Sequence, residues 1–212
     1  MKTYGQYCAV ARSLDVIGDR WVLLIVRELL SQGPSRFTDL RDGLPGIASN
    51  LLATRLREME EGGVIERVEV PPPVATGLYR LTERGQELRP VIQALTQWGL
   101  PTMPVTREGE AERGSWLGLL AQDHLSDAHP ERGPLTISID TPAAPVHLTA
   151  QDGEFELHRG AAPAADVRLS GEARLIGGYL SGLLSLDDAR RLGLRADGEE
   201  AALSRLVQAN RH

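Results

Sequence analysis

The hydrophobic period of this chain first changes at Gly62-Gly63, and that change restricts the fold more than any other feature. Before the glycine pair, apolar residues recur every three or four positions, the spacing of one helix face. Residues 8–17 carry Val10, Leu14 and Ile17 at that spacing, and Gly18-Asp19 interrupts them. Residues 21–30 are apolar nearly all round, as expected of a buried central helix. Gly33-Pro34-Ser35 ends that run, and Ser35 is expected to cap a short helix over 36–42. After the turn Leu44-Pro45-Gly46, residues 49–61 place Leu52, Leu56 and Met59 within about 60° of one another on a helical cylinder. Beyond the glycines the pattern becomes that of two strands, 64–70 and 78–82, joined by a loop that begins Pro71-Pro72-Pro73. Thr82 is expected to cap one further helix running to about residue 98.

Helices on either side of a tight turn, followed by a hairpin and a last helix, imply a winged helix-turn-helix: mainly α, with a two-stranded wing. The outward side of the 49–61 helix carries Asn50, Ala53, Thr54 and Arg57. Short polar groups near a helix start suit a major groove, where they reach base edges while arginines meet phosphates. Ser49 begins that helix, and Arg55 sits on its flank, placed to reach a DNA backbone. Arg67 and Arg80 fall on adjacent strands of the hairpin, and Arg36 opens the helix before the turn. The plainer alternative for each is a solvated surface arginine; three of them in these places favour the nucleic-acid reading.

Bulk properties bound the answer without deciding it. The 212 residues suffice for one large domain or two small ones, and 42% hydrophobic with 25% charged residues allows a real core. No run approaches the roughly 18 apolar residues of a membrane span. Met1-Lys2-Thr3-Tyr4 lacks the apolar stretch of a signal peptide, and the single cysteine, Cys8, leaves no internal disulfide. A cytoplasmic protein with no membrane partner is expected. The net charge of −6 is unevenly held. Residues 1–104 carry 12 basic and 12 acidic side chains, whereas residues 105–212 carry 11 and 17. A neutral first half is compatible with DNA if its basic groups share a face.

A boundary is expected near Pro101–Gly109, where Pro101 and Pro104 stop a helix, giving domains 1–104 and 110–212. The second half begins with a helix over 115–124. Short strands follow at 135–140, 146–150, 155–158 and 167–170, then helices at 172–183, 186–192 and 199–209, which implies an α+β domain. Trp116, Leu120, Phe155, Leu175, Tyr179 and Leu183 are candidates to line an apolar ligand pocket there, against the alternative of ordinary core. No enzyme signature is present. His124, His129, His147, His158 and His212 are scattered without metal-ligand spacing, Ser115 and Ser181 lack a nucleophile elbow, and no phosphate-cradling glycine loop occurs. Neither a cofactor nor a metal is expected.

Several motifs occur together in the first half: Tyr7-Cys8, Leu14-Asp15-Val16-Ile17-Gly18-Asp19-Arg20-Trp21, Arg36-Phe37-Thr38-Asp39-Leu40, Gly46-Ile47 and the run 52–56. Gly63-Val64-Ile65, Tyr79-Arg80-Leu81-Thr82-Glu83-Arg84-Gly85 and Trp98 follow in order. In these residues, over about 7–100, the chain resembles the HxlR-type winged-helix regulators. The resemblance implies a homodimer built through the N-terminal and last helices of that half, reading double-stranded DNA at a pseudo-palindromic operator. It also allows Cys8 to sense oxidants, although a thiol between Tyr7 and Ala9 is more commonly buried and inert. The sequence departs from the pattern at the wing tip, which has no arginine, and at Ala48, where a capping serine is common, so Ser49 is expected to cap. The second half resembles, through Ala165-Asp166-Val167-Arg168-Leu169-Ser170-Gly171, residues 178–184, Gly193-Leu194 and Asp197-Gly198, the sterol-carrier-protein-like domain. That implies a pocket for an apolar small molecule. The alternative for the whole chain is a lipid or small-molecule carrier whose winged helix serves protein interaction.

Overall fold

The computed structural model describes residues 3–70, 76–103, 109–141 and 144–208. The chain divides into two compact units, Met1–Thr96 and Gln97–His212.

The first unit begins with α1 (Ala9–Ile17), α2 (Val22–Gln32), α3 (Phe37–Gly43) and α4 (Ser49–Glu61). The almost wholly apolar α2 is its axis: Val22, Ile25, Val26 and Leu29 are nearly inaccessible to solvent. Leu40 and Leu44 from around α3, and Leu52, Leu56 and Met59 from α4, are buried with them. Gly63, with φ near +69°, ends α4, and the backbone N–H of Val64 returns to Met59 O at 2.9 Å. The chain then pairs β1 (Ile65–Val70) antiparallel with β2 (Thr76–Leu81), from Ile65 opposite Leu81 to Val70 opposite Thr76. The expected proline-rich wing tip, Pro71-Pro72-Pro73, lies outside the described residues.

Three local expectations are corrected. Ser35 does not cap α3. Arg36 holds the N-cap position, its backbone N–H donating to Asp39 Oδ2 at 3.1 Å. Ser35 instead exchanges two backbone hydrogen bonds with Tyr79 (2.9 and 2.8 Å), adding a bridge to the wing. Ser49 does not cap α4 either; Ala48 takes the N-cap position and Ser49 is the first helical residue. The single helix expected after Thr82 is two, α5 (Glu83–Gln86) and α6 (Arg89–Gly99). Thr82 Oγ1 does accept from Gly85 N at 3.0 Å. Pro90 explains the break: it has no N–H to donate to Gln86, and its ring opposes that carbonyl. Gly85 is needed here, because a Cβ would overlap the carbonyl oxygen of Val64.

The second unit is built on a five-stranded sheet. Its strands are β4 (Leu135–Asp140), β5 (Val146–Gln151), β6 (Glu154–Arg159), β7 (Val167–Ser170) and β8 (Arg195–Gly198), in the spatial order β6-β5-β4-β7-β8. All neighbours are antiparallel except β4 and β7, which run parallel with Ile137 opposite Val167. Asp152-Gly153, both at positive φ, close the β5–β6 hairpin. Helices α7 (Gly114–His124), α8 (Ala173–Leu180), α9 (Leu186–Arg191) and α10 (Glu200–Leu203) complete the α+β arrangement. Leu117, Leu120 and Ala121 of α7, Ile137, Ile139 and Leu148 of the sheet, and Ile176 and Leu180 of α8 belong to one continuous core.

A further small sheet was not anticipated. Residues 199–209, expected as one helix, divide into α10 and a strand, β9 (Leu206–Gln208), which pairs with β3 (Leu125–Asp127). Between them Arg205 is buried against Asp127, 78 positions away, with Nη2 to Oδ2 at 2.6 Å and Nε to Oδ1 at 3.0 Å. Nη2 also donates to Gly133 O. The helix expected over 172–183 stops at Leu180, where Gly182 takes φ near +78°.

Candidate nucleic-acid interface

The outward face of α4 is formed as its periodicity requires. Leu52, Leu56 and Met59 are buried, so Ser49, Asn50, Ala53 and Arg57 are left exposed. Two of the polar groups on this face already hold backbone partners. Asn50 Oδ1 accepts from Leu51 N at 2.9 Å, and Thr54 Oγ1 donates to Asn50 O at 3.0 Å. Those two bonds leave the amide nitrogen of Asn50 and the acceptor lone pairs of Thr54 Oγ1 unused. Arg36, exposed at the start of α3, stands beside the wing because Ser35 is bridged to Tyr79.

Arg55 is held away from that face. Its guanidinium meets Asp19 Oδ2 at 3.1 Å through Nη2 and Glu58 through Nη1, and it is about three-quarters buried. It therefore serves α4 packing rather than standing free for a DNA backbone. The i,i+3 spacing of Arg55 and Glu58 carried that signal in the sequence; Asp19, 36 positions earlier, did not. The two wing arginines are also separated. Arg80 lies opposite Glu66 and bonds it at 2.8 Å, whereas Arg67 lies opposite Tyr79 and meets Glu69 at 3.5 Å. Successive strand residues face opposite ways, so Arg67 and Arg80 project from opposite faces of the hairpin. They cannot both lie along one phosphate backbone in the same way. Arg41 of α3 is an exposed cation that sequence reasoning passed over; its neighbour Asp42 approaches at 3.3 Å.

Cys8 is exposed and occupies the N-cap position of α1, with no side-chain capping bond. The expectation of a buried thiol fails because only Ala11 of α1 is buried. In the second unit, Leu120, Phe155, Leu175 and Tyr179 lie in the continuous core, Trp116 is half-buried and Leu183 is 46% exposed. Burial raises the Tyr179 hydroxyl above its ordinary value. Among the described residues no cluster of His, Cys, Asp and Glu could hold a metal ion, and no helix is long and apolar enough to cross a membrane.

Two helices about a tight turn, with a hairpin wing bridged to the segment between α2 and α3, define a winged helix-turn-helix protein. Residues 16–106 match the family described as HxlR-like helix-turn-helix. The chain is 38% identical over 98 residues to an HTH-type transcriptional regulator of Synechocystis, a match covering 45% of this chain and 70% of that protein. It is 40% identical over 95 residues to the HTH-type transcriptional regulator YdeP of Bacillus subtilis, covering 43% and 71%. It is 35% identical over 86 residues to the HTH-type transcriptional regulator YodB of the same organism, covering 41% and 76%. The chain belongs to the HxlR-like helix-turn-helix family and is a transcriptional regulator of that type.

Proposed function

We propose that the chain binds double-stranded DNA as a cytoplasmic homodimer and reads a pseudo-palindromic operator through α4. The observation that carries this reading is the division of α4. One side is sealed in the core by Leu52, Leu56 and Met59, and the other presents Ser49, Asn50, Ala53 and Arg57 with no bulky group to prevent close approach. Asn50 and Thr54 supply base-edge contacts, while Arg57, Arg36 and one face of the wing supply phosphate contacts. Of the wing arginines, Arg67 and Arg80 each reach DNA only by leaving Glu69 or Glu66.

Exposed apolar side chains at helical spacing support dimerisation. Val10 and Leu14 on α1 are 66% and 42% exposed, and Val91, Leu95 and Trp98 on α6 are 38%, 44% and 84% exposed. Such side chains call for a second copy, which would space two α4 helices about 34 Å apart along the duplex. We assign the second unit, a sterol-carrier-like α+β domain in this reading, a role in binding an apolar molecule or in assembly.

The test is fluorescence anisotropy with a duplex selected from genomic fragments and a scrambled duplex, at one fixed salt concentration. A preference of about 10³-fold or more for the selected duplex is expected. Equal, weak binding to both would defeat the reading.

A further inference from the structure

Leu52, Leu56 and Met59 hold α4 to the core of the first unit, but apolar contact carries no direction of its own. A second strip, about 60° round the helix from Leu52, holds Arg55 and Gly62. Seven residues separate these two, so they face the same way within about 20° and lie about 10 Å apart along the axis. Both meet the end of α1 and the turn that follows it. Arg55 Nη2 reaches Asp19 Oδ2 at 3.1 Å, while Asp19 Oδ1 accepts from Trp21 N at 3.2 Å where α2 begins. Gly62 comes so close to α1 that a Cβ there would stand 3.0 Å from Val16 Cγ1. Its φ near −78° is ordinary helix, so the close approach, not the backbone conformation, calls for glycine.

Two further observations give this strip a role beyond filling space. Arg55 is about three-quarters buried, and its Nε has no hydrogen-bond partner among the described residues. A buried donor without an acceptor is destabilising, so the guanidinium is placed for Asp19 and Glu58 rather than for its own full satisfaction. The other observation is that α1 has two working sides. Val10 and Leu14 are exposed on one. Val16 lies about 140° round the helix from them, against the end of α4. A second copy seated on Val10 and Leu14 would therefore grip α1 on the side away from α4.

We propose that Arg55 and Gly62 are positioning residues: acting through Asp19 and Val16, they fix α4 on α1 and so set the half-site spacing that the dimer reads. Neither touches DNA. The inference rests on the dimeric, DNA-reading assignment of α4 and names the residues that join its two parts. One base pair more between half-sites turns them by about 36° and separates them by about 3.4 Å. A firm joint between α1 and α4 cannot absorb that misfit, and a loosened joint absorbs part of it. The ion pair supplies the directional half of the joint, because a guanidinium meets a carboxylate only in a narrow range of geometries. The Val16–Gly62 approach supplies the steric half.

The experiment uses the full chain and the selected duplex in three forms: as selected, with one base pair inserted between half-sites, and with one deleted. The scrambled duplex is the control, and a thermal melt without DNA reads the stability of each variant. The native chain should favour the selected spacing about tenfold or more over the other two. Asp19→Asn keeps an oxygen for Trp21 N and loses the charge that holds Arg55; it should cut that ratio to about threefold or less. Arg55→Met should do the same, and the double variant no more than either alone. Gly62→Ala should lower the ratio about threefold, and adding Val16→Ala, which removes the methyl facing it, should restore the ratio. Asp19→Asn and Gly62→Ala keep the test intact should Arg55→Met not fold. A purely structural role would weaken binding to all three spacings in parallel and leave the ratio at its native value. That result would overturn the proposal, as would additive effects of Asp19→Asn and Arg55→Met, or a native chain that prefers the selected duplex yet binds all three spacings equally. Equal binding of the native chain to selected and scrambled duplexes would instead defeat the DNA reading of α4 itself, before any substitution is made.

Discussion

The two units treat apolar surface in opposite ways. In the second, α7 and α8 join the five-stranded sheet in one continuous core that takes in residues from Leu100 to Leu206. In the first, α2 buries Val22, Ile25, Val26, Leu29 and Leu30, yet α1 contributes only Ala11 and α6 only Ile92 to the interior. Both peripheral helices are amphipathic with their apolar stripes exposed. The contrast separates two sources of stability. The second unit gathers most of its apolar side chains into one core of its own, whereas the first leaves the stripes of α1 and α6 exposed.

The largest expected effect breaks the self-sufficient side of that contrast. Arg205→Ala leaves the Asp127 carboxylate buried without its counter-charge, holding only the His129 N–H, a change that costs about 3–5 kcal/mol. Urea unfolding followed by hydrogen exchange should show the loss in the second unit alone. The pair also carries a pH dependence. The hydrogen bond from Arg205 holds the Asp127 carboxyl below its ordinary value. Its contribution is therefore complete above the ordinary carboxylate value and is lost as pH falls through the lowered one. In Arg205→Ala that acid-side slope should shrink or reverse, because burial, which opposes it, then works against only the His129 N–H. A variant that unfolds both units together would erase the distinction.

The other side of the contrast is tested by Leu95→Glu combined with Trp98→Glu. Both side chains are exposed in the isolated chain, so neither change should lower the stability of the monomer by more than about 0.5 kcal/mol. At a dimer interface the pair should cost about 3 kcal/mol, roughly a hundredfold in the dimer Kd. Analytical ultracentrifugation against concentration reads this directly. Sedimentation of the native chain as a monomer at micromolar concentration would remove the explanation for both exposed stripes.

Smaller effects sharpen the reading of α4 against the wing. Arg57→Ala should weaken binding to every duplex about tenfold and reduce the salt slope by about 1. Asn50→Ala should instead cost about 1–3 kcal/mol at one base position and leave the others unchanged. Arg80→Ala should do less than Arg57→Ala, because Glu66 at 2.8 Å already compensates the Arg80 charge. Anisotropy across a salt series distinguishes the three. An Arg80→Ala loss equal to that of Arg57→Ala would mean that the Glu66 pair opens on DNA.

The elements that sequence showed plainly are those held by local pattern. Leu52, Leu56 and Met59 specify α4 to within a residue, and Gly62-Gly63 marks its end, because one burial face and one left-handed glycine suffice. The strands β4 and β7 are equally evident from alternation or short apolar runs. What escaped is set by distant partners. The C-terminal strand β9 reads as helix because its reason for being extended, pairing with Leu125–Asp127, lies some eighty residues earlier. Arg55 reads as a flank cation because Asp19, which draws it inward, stands on another element. The opposite facing of Arg67 and Arg80 depends on hairpin register, which the proline-rich sequence between the two strands did not specify.

The smallest expected effect concerns Cys8, at the edge of the stripe that the first unit leaves open. Its side chain is exposed and makes no capping bond, although it occupies an N-cap position where a hydroxyl commonly accepts from the first turn. Serine is nearly isosteric and a better cap. Cys8→Ser should therefore leave DNA affinity within about twofold and stabilise the first unit by roughly 0.5 kcal/mol, read as a slight upward shift of its thermal midpoint. The same variant separates two uses of the thiol. If diamide weakens DNA binding by the native chain and not by Cys8→Ser, the exposed thiol is a sensor, with the oxidation occurring between copies or with an added thiol because no second cysteine exists in the chain. If diamide leaves both unchanged, Cys8 is a replaceable cap residue. If Cys8→Ser lowers the thermal midpoint, the sulfur packs in the assembled dimer, and the open stripe extends to the first residues of α1.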